Sequence, residues 1–221
     1  MRKVSWFVLV VSLLPVFWVN AQQQPFPFWQ DVQQLIFADV TEPKPRHQVL
    51  FVGSSSFTMW KTANEAFPEK TIVNVGFGGS TLLDQIRYID YVITPYKPRH
   101  IVIYCGENDV AYDSTVTGQE VLNRFIKLTE LIRERFPDVH LSYVSMKPSP
   151  SRIKFLPIYR EGNELIKAYL KNIKRASYIN IFDAMLDASG KPRVELFLGD
   201  MLHMNEAGYS IWTELISPHL K

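Results

Sequence analysis

The chain of 221 residues contains one cysteine, Cys105, and therefore no internal disulfide. No cysteine lies near the end of the apolar N-terminal segment, which excludes a lipoprotein-type attachment there. A surplus of charge is also lacking: 24 Lys and Arg stand against 22 Asp and Glu, for a formal net charge of +2. Without a basic surplus there is no electrostatic reason to expect nucleic acid or an anionic membrane surface as a partner. No internal repeat, low-complexity tract or Gly/Ser linker divides the chain into separate domains. Cys105 itself closes the apolar run Ile101 to Cys105, where a thiol serves as a small buried hydrophobe.

What is present begins with Met1-Arg2-Lys3, an apolar stretch from Val4 to Val19, and Val19-Asn20-Ala21 ahead of three glutamines. A charged start, an apolar stretch and a small-residue site form the layout of a secretory signal peptide, so cleavage is expected after Ala21. The apolar stretch falls short of the roughly 20 residues that cross a bilayer comfortably. Pro15 also interrupts it, which disfavours an uncleaved anchor. The segment holds two of the 24 basic residues and none of the 22 acidic ones, so residues 22–221 are formally neutral. The expected product is exported, periplasmic or secreted, with no stable membrane insertion after cleavage. At 47% hydrophobic content the chain suits one globular domain, 22–221, with a sizeable core.

Five runs rich in β-branched and aromatic residues read as strands: Gln48 to Gly53, Thr71 to Gly76, His100 to Gly106, Val139 to Ser145 and Tyr178 to Phe182. Helical stretches alternate with them, which predicts a parallel sheet covered by helices on both faces. Leu82, Ile86, Ile89 and Ile93 form one apolar helical stripe that Pro95 and Pro98 end. Thr117-Gly118-Gln119-Glu120 has the spacing of a capping box, ahead of Val121, Phe125, Leu128 and Ile132 on one face. A leading helix is expected within Phe28 to Val40, and another from Thr58 to Phe67 directly after the first strand. The segment Lys147 to Arg152 follows the fourth strand and belongs on the same edge as the other strand ends, where it is expected to shape the substrate pocket; Arg152 reads as a solvated loop arginine, with a grip on an anionic substrate group as the alternative.

Three strand ends carry polar residues: Gly53-Ser54-Ser55-Ser56, Gly78-Gly79-Ser80-Thr81 and Gly106-Glu107-Asn108-Asp109. Ligands of open α/β sheets bind outside the carboxyl ends of the strands, so these segments converge on one place. A serine hydroxyl attacks only when a histidine takes its proton, a carboxylate orients that histidine, and donors receive the oxyanion. A serine at the first turn, the Gly79 N–H and the Asn108 side-chain amide can fill three of these parts. His47, His100 and His140 lie at strand starts, on the opposite edge, and His219 lies in the last turn of the terminal helix. His203 remains as the base, with Asp200 three residues before it. In isolation each motif is also a polar turn, and Asp-x-x-His can be half of a metal site, but no third and fourth ligand accompany it.

With these four blocks in this order, the chain resembles the SGNH hydrolase superfamily, also called the GDSL esterase/lipase family, from Val49 to about Trp212. The resemblance assigns the nucleophile to Ser55, oxyanion donors to Gly79 and Asn108, and the Asp/His pair to Asp200 and His203. It implies a three-layer α/β/α, flavodoxin-like fold with a five-stranded parallel sheet, and ester hydrolysis through an acyl-enzyme with no metal or organic cofactor. Three positions depart from the family's usual blocks: Ser54 replaces an Asp, Met201 a Gly and Met204 a Pro. The expected substrate is a small-molecule or carbohydrate ester with a short acyl group, because the chain has no long insertion to form a lid or acyl tunnel. Phe57, Trp60, Phe77 and Met204 lie near the strand tips as candidates to pack against it. A lysophospholipase or thioesterase on longer chains, and a noncatalytic carbohydrate-binding protein, are the competing expectations.

Overall fold

The computed structural model describes residues 26–221. Residues 1–21, where the sequence layout suggests a signal peptide, lie outside them. In chain order the elements are α1 (Trp29–Thr41), β1 (Val49–Gly53), α2 (Ser55–Thr58), α3 (Ala63–Ala66), β2 (Ile72–Asn74), α4 (Leu82–Arg87), α5 (Ile89–Val92), β3 (His100–Tyr104), α6 (Glu107–Tyr112), α7 (Gly118–Arg135), β4 (His140–Val144), α8 (Leu156–Leu170), β5 (Ala176–Ile179) and α9 (Glu206–Ile216). The five strands pair in the order β2-β1-β3-β4-β5, all parallel. This is the flavodoxin-like order, with its switch point between β1 and β3.

Alternation within the strands feeds two cores, one on each face of the sheet. Leu50, Val52, Ile101, Ile103 and Tyr143 point toward α1, α4, α5, α7 and α8. Val49, Phe51, Val102, Tyr104 and Val144 point toward α2, α3 and α9, where Trp212 is fully buried. Both faces are thus covered, which is why β1, β3 and most of β4 read as continuous apolar runs rather than alternating ones. Among the described residues no helix is long and apolar enough to cross a membrane.

Several boundaries differ from the sequence reading. The fifth strand is Ala176–Ile179, starting two residues and ending three residues before the expected Tyr178 to Phe182. Ile181 and Phe182 leave the ladder because their N–H groups donate to the buried Ser145 hydroxyl at 3.0 and 3.1 Å. The helix expected over Thr58 to Phe67 is instead two short helices separated by Met59–Thr62. The break lets Phe57, Trp60, Ala63 and Phe67 all reach the core, with Phe57 stacked on Phe51 at 4.6 Å. The Leu82 to Ile93 stripe is likewise broken at Tyr88, whose ring is buried against Trp29 and Phe77 and whose hydroxyl donates to the Pro27 carbonyl. At Thr117 only half of the capping box forms: the Thr117 hydroxyl accepts from the Glu120 N–H, while the Glu120 carboxylate receives Arg124. A complete capping box forms at Thr81 and Asp84.

Candidate active site

The carboxyl end of β1 is shaped by Gly53. A Cβ there would lie 1.9 Å from the Tyr104 carbonyl oxygen, and its φ of 143° is one that L side chains rarely adopt. The Ser54 N–H donates to that same carbonyl at 3.1 Å, and the Ser54 carbonyl accepts from Phe57 and Thr58 N–H. Backbone bonds therefore secure the turn where the family's usual Asp is absent. Ser55 follows as the first residue of α2.

The loop after β2 runs alongside. A Cβ on Gly78 would stand 3.9 Å from that of Ser55. Gly79 has φ of 80°, a left-handed value, and a Cβ there would press on Tyr112 and Phe28. The Ser80 hydroxyl donates toward the Phe77 and Gly53 carbonyls at 2.9 and 3.2 Å and accepts from Gln85 at 2.8 Å, tying this loop to the first. Asn108, in the first turn of α6, donates from Nδ2 to the Ser80 carbonyl at 3.0 Å. Next to it, buried Asp109 accepts from the Leu82 N–H at 3.0 Å and from Arg124 at 2.9 Å, so it joins the start of α4 to α7. Burial raises the Asp109 pKa against the pull of those donors. Among the described residues neither the Ser55 nor the Gly79 N–H has an acceptor.

The late segment supplies the histidine. Asp200 Oδ1 accepts from the N–H groups of Leu202 and His203 at 2.9 Å, and Oδ2 stands 2.6 Å from His203 Nδ1. These hydrogen bonds, led by the His203 N–H, lower the Asp200 pKa to about 2 although its side chain is 47% exposed. An ionised Asp200 accepts the Nδ1 proton, which leaves the lone pair on Nε2, 3.0 Å from Ser55 Oγ. Met201, where the family usually has Gly, sits at φ of 55°. Its left-handed backbone costs about 1–2 kcal/mol, and its carbonyl accepts from Ser151, linking the histidine loop to the loop after β4.

The structure thus places Ser55, Asp200 and His203 in one hydrogen-bonded line, with Gly79 on the loop after β2 and Asn108 in the first turn of α6. The four apolar candidates are elsewhere: Phe57, Trp60, Phe77 and Met204 are all buried in the two cores. Arg152 also departs from its reading as a solvated arginine, since its side chain is 15% exposed and donates to Asn108 Oδ1 at 2.8 Å. Sequence reasoning missed its partners. Glu107 is buried and receives Lys147 Nζ at 3.0 Å, the Lys147 N–H at 2.9 Å and the Tyr104 hydroxyl. Burial works against the Glu107 charge, but Lys147 and Arg152 outweigh it and bring its pKa below the ordinary value. The available signal was a Glu directly before Asn108 and two cations in a loop already assigned to this edge.

A flavodoxin-like sheet whose carboxyl edge joins serine, histidine and aspartate is the arrangement of a hydrolase of SGNH type. Residues 51–211 match the GDSL-like Lipase/Acylhydrolase family, and the chain belongs to it. No curated protein sequence matches the chain. Among solved structures, a Streptococcus pneumonia protein provisionally described as a platelet activating factor is 20% identical, with a TM-score of 0.75 over 87% of this chain and 92% of that one. A GDSL-like lipase from Bacteroides thetaiotaomicron is 20% identical, with a TM-score of 0.71 over 85% and 95%. A family 3 carbohydrate esterase from Clostridium thermocellum is 16% identical, with a TM-score of 0.59 over 76% and 94%. These likenesses concern the fold.

Proposed function

We propose that the protein is an exported serine esterase that removes short acyl groups, acetyl above all, from a carbohydrate or other small ester. The observation that carries the hydrolytic part is the line Ser55 Oγ, His203 Nε2, His203 Nδ1, Asp200 Oδ2 at 3.0 and 2.6 Å. In this reading Ser55 Oγ bonds to the ester carbonyl carbon as its proton passes to His203 Nε2. The oxyanion receives the Ser55 and Gly79 N–H groups and the Asn108 amide. The C–O bond to the alcohol then breaks, the alcohol leaves with the proton from His203, and an acyl-Ser55 remains. Water repeats the sequence on the acyl-enzyme, giving the acid and free Ser55.

Support for a short acyl group comes from the exposure of the site and from the packing of Phe57, Trp60, Phe77 and Met204 into the cores, where they cannot line an acyl channel. The likeness in fold to a carbohydrate esterase is consistent with a sugar as the alcohol part. A specific observation favours a second reading, hydrolysis of longer acyl chains: Met201, Leu198 and Ile153 are exposed apolar side chains around the histidine loop and the loop after β4. Each CH₂ buried in a channel contributes about 0.8 kcal/mol, so a true channel makes kcat/KM climb steeply with chain length. On p-nitrophenyl esters acetate or butyrate is expected to be best; an optimum at octanoate or beyond selects the second reading. Export rests on the layout of Met1 to Ala21, and N-terminal sequencing of protein from fractionated cells should begin at Gln22. An unprocessed chain in the cytosol overturns it.

A further inference from the structure

Glu107, Lys147 and Arg152 are charged side chains drawn out of water beside Asn108, and the proton transfers of the serine, histidine and aspartate use none of them. Fold stability alone does not call for such a cluster, because apolar side chains of like volume fill the same space at least as well. Its geometry points to another role. The Arg152 guanidinium spans two neighbouring residues: Nη2 donates to Asn108 Oδ1 at 2.8 Å, while Nη1 lies 3.6 Å from Glu107 Oε2. Glu107 is itself held by Lys147 Nζ, the Lys147 N–H and the Tyr104 hydroxyl. On its far side, the Asn108 amide donates to the Ser80 carbonyl at 3.0 Å. A donor fixed at Oδ1 and an acceptor fixed at Nδ2 allow the amide one orientation, and one Nδ2 hydrogen stays uncommitted.

We propose that Arg152 is a positioning residue for oxyanion stabilisation: anchored by Glu107, it locks the Asn108 amide with its nitrogen available to the reacting carbonyl, and its charged hydrogen bond to the amide oxygen strengthens the amide N–H as a donor. Hydrogen bonds in series polarise one another, and a charged donor does so most. Lysine cannot substitute, because a single ammonium on a flexible stem does not span Glu107 and Asn108 in one plane. The inference rests on the reading of Asn108 as an oxyanion donor.

The test is a double-mutant cycle in the full chain, with p-nitrophenyl acetate as substrate. Arg152→Lys is expected to lower kcat about 10-fold with KM close to wild type, because a lost hydrogen bond to a charged group is of that order. Combined with Asn108→Ala it should cause no loss beyond that of Asn108→Ala alone. Losses that multiply show an independent role and overturn the proposal. A raised KM with unchanged kcat also overturns it, and assigns the guanidinium to ground-state binding of substrate. Should Arg152→Lys fail to fold, Glu107→Gln, which keeps shape and removes the anchoring charge, must show the same coupling to Asn108. An Asn108→Ala protein with unchanged kcat defeats the oxyanion reading itself, whereas an unimpaired Arg152→Lys beside an impaired Asn108→Ala defeats this inference alone.

Discussion

Two serine–histidine pairs lie at opposite ends of the same sheet. Ser55 and His203 stand 3.0 Å apart at the carboxyl edge, and Ser142 and His100 stand 2.8 Å apart at the amino edge, where β3 and β4 run side by side. Distance does not separate them; the place of the proton does. At His203 the carboxylate of Asp200 takes the Nδ1–H, so Nε2 is an acceptor for the serine proton. At His100 the Lys221 N–H donates to Nδ1 at 3.2 Å, so the ring proton sits on Nε2 and is given to Ser142, whose own hydroxyl can then serve Ser177 at 2.8 Å. That chain of donors is satisfied and inert.

Charge separates the two pairs as well. Burial first, then the positive charge that His140, Lys221, Arg99 and His219 carry when protonated, push the His100 pKa down to about 3. Among the described residues no ion pair to a carboxylate holds His100, whereas His203 has Asp200. The amino edge also carries a hollow of about 600 Å³, lined by Lys97, Arg99, Arg135 and Arg175 among others. The orienting carboxylate, present behind His203, is what separates the two pairs.

The comparison breaks most visibly under serine replacement. Ser55→Ala should lower kcat by about 10⁴-fold or more and abolish labelling by a fluorophosphonate, with the thermal transition retained. Ser142→Ala should keep kcat/KM within about twofold. Substantial activity in the first variant, or its loss in the second, would reverse the assignment of the two pairs. Next in size, Asn108→Ala should reduce kcat by roughly 10²- to 10³-fold with little change in KM, as expected for a donor that meets charge only as it develops. Stopped-flow or steady-state kinetics on acetate esters measure this, and a raised KM at constant kcat would count against it.

Smaller effects sharpen the difference through stability. Ser142→Ala leaves the His100 Nε2–H buried without an acceptor and should cost about 1–3 kcal/mol in urea unfolding. The pH dependence follows from the lowered His100 pKa. Between about 3 and its ordinary value of 6.5, His100 is charged in the unfolded chain and neutral in the folded one. The unfolded state then binds more protons, so stability falls as pH drops through that window, by about 1.4 kcal/mol per pH unit for this one group. In His100→Gln that component of the slope should vanish; an unaltered slope between pH 6 and 4 would show that His100 is not held neutral.

Much of this was legible in the sequence because its causes are local. Apolar runs of five residues between amphipathic helices fix a parallel sheet, and strand order then brings Gly53, Gly79 and Asn108 to one edge whatever the details of packing. Reading histidines by their place on strands set His47, His100 and His140 at the other edge, and the structure puts them around its hollows. Element ends were less legible. Where β5 stops depends on a hydroxyl from the residue just after β4, Ser145, and where the helix after Ser55 breaks depends on Trp60 and Phe67 finding room beside Phe51.

By itself the sequence determined the sheet and the two apolar faces, and it singled out Ser55, Asp200 and His203, which the structure joins by hydrogen bonds, since periodicity and residue chemistry are properties of neighbours along the chain. Only the tertiary structure decided which apolar tips are core, that His203 Nε2 reaches Ser55 Oγ while His100 Nε2 reaches Ser142, and that Arg152 is buried against Asn108 rather than solvated. Those outcomes depend on burial and on hydrogen bonds between residues as far apart as Ser55 and His203, and burial is set by what the rest of the chain packs on top.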